Sequence, residues 1–236
     1  MKGTIYINLD LETYVPISGR NNKSWHMDGN PVMKENFLMG GTFSHQNPNK
    51  ANLNNMGKFN SYWIWNEDSF DPNNPNAAEK DILINIYEYI SNLYKLEQKK
   101  IDPELNRPAL ICYIGVGINR FDLNYLYIRS AMYNIAPKGE LFNLYGLARR
   151  LDFSETTVPF NKLEKNWFQL FPLSNAKIIE FLKVESDFEK ELGTAVWGQF
   201  DKGDYKKIEE RNLNEVILNY KIYSKLREKV KSRKFK

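Results

Sequence analysis

Two acidic side chains stand close together at the end of the first apolar run of the chain. Asp10 and Glu12 follow a β-branched run that begins at Thr4. On a strand, residues two apart point to the same face, so both carboxylates would lie side by side. Such a pair repels and raises the pKa of each member unless a cation lies between them. Mg²⁺ and Mn²⁺ prefer oxygen ligands, so the spacing predicts a metal site, with a polar strand end as the alternative.

A second acidic position follows a buried strand. The segment Gly117-Ile118-Asn119-Arg120-Phe121-Asp122 stands where an apolar run gives way to helical spacing. Ligands in α/β sheets favour the carboxyl ends of strands, which makes Asp122 a candidate ligand. An acid in the first turn of a helix is also ordinary, and it is the alternative for Asp122 taken alone. Asn119 in the same segment is a residue type that is typical of turns.

Hydrophobic periodicity predicts the elements that must position these acids. We expect strands at residues 4–12, 37–43, 59–65 and 109–117, and helices at residues 78–98, 121–133, 177–183 and 205–231. The last helix has a possible break near Asn212, because asparagine is a good N-cap. The order of elements predicts an α/β fold, in which an antiparallel three-stranded meander and parallel strands form one mixed sheet with helices on its faces.

Length and composition bound the functional class. The chain has 236 residues, of which 42% are hydrophobic and 26% charged, which fits a single globular domain over residues 1–236. It has no run of 18 apolar residues and no basic-then-apolar leader, so we expect no membrane span, no signal peptide and a cytoplasmic location. The single cysteine excludes an internal disulfide, and a structural zinc site is not expected from His26, His45 and Cys112. Both histidines are expected in or near loops, as surface residues rather than as ligands or bases.

The positive charge is concentrated at the C-terminal end. Residues 221–236 hold eight basic residues and one acid, a balance of +7 within a formal net charge of +4, which leaves about −3 for the rest. A basic tail of this kind suits an arm that contacts phosphates near a metal site. A solvated helix end is the alternative, because basic residues are favoured there by the helix dipole.

The ordered acids resemble a known family. The chain has D-x-E on the first strand, then N-x-F-D after a buried strand, and then the acid Glu215 in the segment Arg211-Asn212-Leu213-Asn214-Glu215-Val216. This order of motifs resembles the DEDD superfamily of 3′–5′ exonucleases. The family includes the proofreading domains of DNA polymerases and has a ribonuclease H-like fold. The resemblance spans most of the chain, although only these three short motifs are specific.

The resemblance implies roles for individual residues. Two Mg²⁺ or Mn²⁺ ions, about 3.5–4 Å apart, would clamp the scissile phosphate. The implied metal ligands are Asp10, Glu12, Asp122 and Glu215. The implied substrate-binding residues are Thr13, Tyr14, Asn119 and Phe121. Tyr14 could stack on a terminal base or equally be a strand-end aromatic residue, and Asn119 could bond substrate, orient Asp122 or be a turn residue. The expected partner is a nucleic acid, with a single-stranded 3′ end as substrate; protein partners are not predicted.

Two departures from the family pattern bear on catalysis. Glu215 stands where the family usually has Asp, and Arg211 stands where it has the Tyr or His that orients the attacking water. Arginine cannot act as a base near neutral pH, so Arg211 is expected to neutralise phosphate charge or pair with Glu215. A second register, Tyr205 with Glu209, restores the Y-x-x-x-E form but fits the following helix less well. The alternatives to an exonuclease are therefore a catalytically impaired binding or interaction module and a ribonuclease H-like endonuclease.

Overall fold

One mixed sheet of five strands forms the centre of the molecule. The structure is a computed structural model that describes residues 3–20, 29–46, 57–157, 173–185 and 193–232. The strands are β1 (Thr4–Tyr14), β2 (Phe37–Gln46), β3 (Phe59–Trp63), β4 (Leu110–Gly115) and β5 (Arg149–Asp152). Their order across the sheet is β3-β2-β1-β4-β5. β1, β2 and β3 form an antiparallel meander, and β4 and β5 run parallel to β1.

Seven α-helices accompany the sheet in the part of the chain that the structure describes. They are α1 (Asn76–Gln98), α2 (Asp122–Met132), α3 (Lys138–Leu141), α4 (Phe153–Thr156), α5 (Asn175–Leu182), α6 (Ala195–Asp201) and α7 (Tyr205–Ser232). Short 3₁₀ turns lie at Ile17–Gly19, Ile64–Asn66 and Pro103–Leu105, and a π-helical turn at Phe142–Gly146 follows α3. Within these ranges, none of the helices combines the length and apolarity needed to cross a membrane.

β1 has a different helix on each of its faces because its side chains alternate. The odd-numbered residues Ile5, Ile7, Leu9 and Leu11 are buried in one apolar cluster with Ile82, Ile86 and Ile90 of α1. The even-numbered residues contact α7 instead. The Asn8 side chain donates to the Val216 carbonyl at 2.9 Å, and the Tyr6 ring lies edge-on to Tyr223 with centroids 6.0 Å apart. Asp10 and Glu12 therefore face α7.

A second apolar cluster joins α7 to the parallel side of the sheet. It contains Ile114 of β4, Phe153 of α4 and the Leu218, Ile222 and Leu226 side chains of α7. These α7 positions are spaced by four residues, which is the helical repeat of a buried stripe. The cluster fixes the second half of α7 against the sheet, and the segment of α7 from Asn212 to Val216 then lies over the end of β1 that carries the acids.

The predicted α/β class, the meander and the parallel strands are confirmed, with shifts of a few residues at the element ends. β2 continues beyond the predicted end at 43 to Gln46, and β3 ends at Trp63 rather than at residue 65. The predicted break near Asn212 is wrong, because α7 is continuous from Tyr205 to Ser232. Its sequence contains no glycine or proline, and the Asn212 side chain bonds to β1 instead of capping a helix.

His45 lies near the end of a strand, as expected, but it is less exposed than a surface residue. His45 lies in β2 and is half-buried, and its Nδ1 lies 2.9 Å from the Tyr89 hydroxyl oxygen. Burial lowers the pKa of this histidine, and Lys100 lowers it further. His26 lies outside the described residues.

Candidate functional site

β1 presents its two carboxylates at a place where the sheet is irregular. The pairing of β1 with β2 shifts register between Glu12 and Thr13, opposite Gly40. Gly40 has φ +152, and a Cβ there would lie 2.1 Å from the Tyr62 carbonyl oxygen. A Cβ at Gly41 would lie 2.6 Å from the carbonyl oxygen of Asp10. Gly41 thus permits the close approach of β2 to the segment of β1 that carries the acids, and Gly40 permits the close approach of β3 to β2.

α7 brings a third carboxylate to the same place. Glu215 is buried, and one oxygen from each of Asp10, Glu12 and Glu215 lies within 4.8 Å of the other two. The predicted convergence of these three acids is therefore found, although more than 200 residues separate Asp10 from Glu215. A hard divalent cation could satisfy such a group, because carboxylate oxygens are its preferred ligands.

Asp122 lines the same cavity but lies outside this close group. It is the first residue of α2, it is buried, and its Oδ1 accepts the Leu11 amide N–H at 3.1 Å. That bond ties Asp122 to the residue between the two acids of β1. Burial raises the pKa of Asp122 to about 7, and the charges of Asp152 and Glu215 add to the increase.

Asn212 is a site residue that the sequence analysis assigned to a helix break. It is fully buried in α7, and its Nδ2 donates to the Asp10 Oδ2 at 2.7 Å and to the Asp10 carbonyl at 3.1 Å. The side chain therefore fixes the direction of the Asp10 carboxylate. The available signal was its spacing, since Asn212 and Glu215 lie three residues apart and share one helix face.

Asp152 is a second residue that sequence analysis missed. It ends β5, it is buried, and its carboxylate accepts the amide N–H groups of Gly117 and Asn119, both at 2.9 Å. Gly117 has φ +81, which suits a residue without a side chain. Asp152 thereby holds the turn that leads from β4 to Asp122.

Asn119 itself lies on the far side of that turn. Its Nδ2 donates to Glu155 Oε2 at 2.8 Å, so its side chain is directed toward α4. Among the described residues, no hydrogen bond joins the Asn119 side chain to Asp122. The turn interpretation of Asn119 fits these contacts, and a contact with substrate stays a prediction.

Arg211 lies among the carboxylates as an internal cation. Its Nη2 donates to Glu215 Oε1 at 3.0 Å, and its Nη1 is 3.9 Å from Glu12 Oε1. The predicted pairing with Glu215 is confirmed. Burial by itself lowers the pKa of the guanidinium, but Glu12, Glu215 and Asp10 raise it above its ordinary value. Arg211 is therefore a permanent positive charge.

The acids open onto a cavity of about 460 Å³. Its lining includes Thr13, Phe121 and Trp197 as well as the four acids and Arg211. The Trp197 Nε1 donates to the Thr13 carbonyl at 2.9 Å, which fixes the indole at the cavity wall. Two of the predicted substrate-binding residues, Thr13 and Phe121, thus face the space that a substrate would enter.

Tyr14 belongs to the packing beside the cavity. Its hydroxyl donates to Asp201 at 2.6 Å, and its ring stacks on Phe37 with centroids 4.9 Å apart. The Tyr14 hydroxyl and ring thus have partners within the protein, which agrees with the strand-end interpretation. A stacking contact of Tyr14 with a terminal base stays a prediction.

The second register and the basic tail have other surroundings. Glu209 accepts the indole N–H of Trp65 at 2.7 Å, and Tyr205 stacks on the same ring, so this pair lies in an aromatic cluster rather than in the cavity lining. That register is therefore wrong.

Residues 221–232 of the tail continue α7, and the Lys229 ammonium lies 4.0 Å from the centre of the Phe181 ring. Residues 233–236 lie outside the described part of the chain.

Comparison with known proteins adds no identification. No protein-family model matches the chain, and no curated protein matches it.

Proposed function

We propose that this protein is a metal-dependent 3′–5′ exonuclease with a ribonuclease H-like fold, acting on single-stranded ends of DNA or RNA. One observation carries the proposal: carboxylates from β1 and α7 converge at Asp10, Glu12 and Glu215, while Asp122 enters the same cavity from α2. The order of these acids along the chain is the order of the family that the sequence resembles.

The residues present fit Mg²⁺ or Mn²⁺. The donors are hard oxygen atoms, they lie close together, and two of the three carboxylates in the close group are buried. When bound, such a cation polarises a phosphate and lowers the pKa of a coordinated water. Asp10, Glu12 and Glu215 would hold it, and Asn212 keeps the Asp10 carboxylate in position.

The reaction is the hydrolysis of one phosphodiester bond. The water oxygen forms a bond to phosphorus, and the bond from phosphorus to the O3′ of the preceding nucleotide breaks with its electron pair on O3′. O3′ takes up a proton, and the attacking water loses one to solvent. Arg211 cannot accept that proton, but its fixed charge favours the negative charge that accumulates on the phosphate oxygens.

The size and lining of the cavity suit a strand terminus. A volume of about 460 Å³ lies in the range of small-molecule sites, which accommodates a nucleotide rather than a duplex. Phe121 and Trp197 add aromatic surface to the lining, and aromatic rings stack on bases without regard to sequence. The cavity would thus hold the terminal nucleotide with its phosphate at the carboxylates.

The test is the release of nucleotides from a single-stranded oligonucleotide with a labelled 3′ terminal nucleotide, in Mg²⁺ or Mn²⁺. We expect labelled mononucleotides from the wild type and a loss of at least about 100-fold in Asp10→Asn, because the metal loses a ligand. Asp68→Asn, a matched change at an exposed acid, should retain activity. No release by the wild type, or full activity of Asp10→Asn, would contradict the proposal.

Arg211 favours one further candidate, a binding module without catalysis, because it replaces the residue that orients water in the resembled family. Such a module would bind the oligonucleotide without releasing nucleotides and without metal uptake that depends on Asp10, which calorimetry measures. A circular single strand distinguishes the endonuclease alternative, because an endonuclease would cut the circle and an exonuclease leaves it intact.

A further inference from the structure

Arg211 is the one guanidinium that lines the cavity within the described part of the chain, and it contacts two of the three close carboxylates. The exposed fraction of its side chain is 7%. Its Nη2 bonds to Glu215, while its Nε and Nη1 have no hydrogen-bond partner among the described residues. Buried N–H groups without partners are costly, so a group that enters the cavity would gain by accepting from them.

The charge of the close group depends on this arginine. Asp10, Glu12 and Glu215 supply three negative charges and Arg211 one positive charge, so the close group carries two negative charges. A single divalent cation balances that sum. A second would add an excess of positive charge in a buried place, where charge imbalance is expensive.

The position of the guanidinium leads to the same result. A second cation, shared by Glu12 and Glu215, would need one oxygen atom from each at about 2.0–2.1 Å. The guanidinium lies beside both residues, with Nη2 at 3.0 Å from Glu215 and Nη1 at 3.9 Å from Glu12. The guanidinium therefore supplies positive charge beside Glu12 and Glu215 in place of a second cation, while Asn212 holds the Asp10 carboxylate.

Resting on the proposed function, we infer that the site binds a single divalent cation, and that the Arg211 guanidinium takes the place of the second. In this arrangement Arg211 offsets one negative charge beside Glu12 and Glu215 and offers its Nε and Nη1 N–H groups to an oxygen of the scissile phosphate. A guanidinium suits that task because its planar donors match the geometry of phosphate.

The experiment counts bound Mn²⁺ by the electron paramagnetic resonance signal of the free ion, with the full chain and no nucleic acid. We expect one ion per chain for the wild type. Removing the charge in Arg211→Met should raise the number to two, because three carboxylates then lack their internal cation. Arg211→Gln keeps a donor for Glu215 and should also bind two ions, which guards against a folding defect in Arg211→Met. Arg227→Met, a matched change farther along α7, should still bind one ion.

The outcomes separate this inference from the proposed function. Two ions on the wild type, or one ion on both folded Arg211 variants, would overturn the inference. If the wild type binds two ions and releases nucleotides, the proposed function stands and only the inference fails. If the wild type binds one ion, the Arg211 variants bind two and no nucleotide is released, the inference on charge stands and the exonuclease proposal fails.

Discussion

Asn212 gives the sharpest prediction, because its two bonds join α7 to the acid on β1. Asn212→Ala removes a donor from the Asp10 carboxylate at 2.7 Å and from the Asp10 carbonyl at 3.1 Å. A hydrogen bond to a charged group contributes about 1.5–3 kcal/mol, and a neutral one about 1 kcal/mol. The gain in helix propensity from alanine opposes this loss by roughly 0.6 kcal/mol. We expect a net decrease of about 2–3 kcal/mol in the free energy of unfolding.

The measurement is urea unfolding followed by circular dichroism in the presence of EDTA. Asn214→Ala is the matched control, since Asn214 is exposed on the same helix and the same change carries the same helix propensity. The difference between the two variants isolates the bonds to Asp10. If both variants unfold within about 0.5 kcal/mol of each other, a value expected for surface changes, then Asn212 does not hold the strand.

Two further predictions concern buried charges. Glu79→Gln should lower the free energy of unfolding, measured by urea unfolding, by about 3–5 kcal/mol, because it leaves the buried Arg129 without its carboxylate partner. The control Glu88→Gln, at an exposed position of α1, should have little effect. The other prediction concerns Asp122, whose pKa is raised by burial to about 7. The native carboxyl therefore keeps a proton that the unfolded chain releases above about pH 4. The free energy of unfolding in EDTA should consequently fall as the pH rises from about 4 to 7. The free energy of unfolding of the wild type should decrease with pH more steeply than that of Asp122→Asn, by at most about 1.4 kcal/mol per pH unit. An equal slope in both proteins would show that Asp122 does not cause the pH dependence.

The sequence predicts the sheet well because its signals are local. Alternation along β1 places Asp10 and Glu12 on one face, and the same alternation buries Ile7 and Leu9 against α1. The glycine pair in β2 indicates an irregular pairing, and the register shift lies opposite Gly40. These features depend on neighbouring residues in one strand, so a single sequence contains them.

The contacts that complete the site are different in kind. Asn212 resembles an N-cap in the sequence, but its partner is Asp10, which is 202 residues away and lies in another element. Asp152 stands in a stretch without clear periodicity, and its partners lie 33 and 35 residues earlier in the turn after β4. Such bonds depend on how elements pack, and tertiary contacts override local propensity.

The position of Asp122 could be predicted only in part. Its place at the start of a helix after a buried strand follows from the periodicity, and the helix begins there. Its bond to the Leu11 amide could not be predicted, because it requires the exact approach of α2 to β1. That bond explains why Asp122 shares the cavity while remaining outside the close group of carboxylates.

The most direct test of the metal site is anomalous X-ray diffraction from crystals grown with Mn²⁺. We predict one anomalous peak in contact with oxygen atoms of Asp10, Glu12 and Glu215, beside the Arg211 guanidinium. Crystals of Asp10→Asn grown in the same way should show a much weaker peak or none. A wild-type crystal with no manganese at these carboxylates, or with manganese bound only elsewhere, would contradict the account.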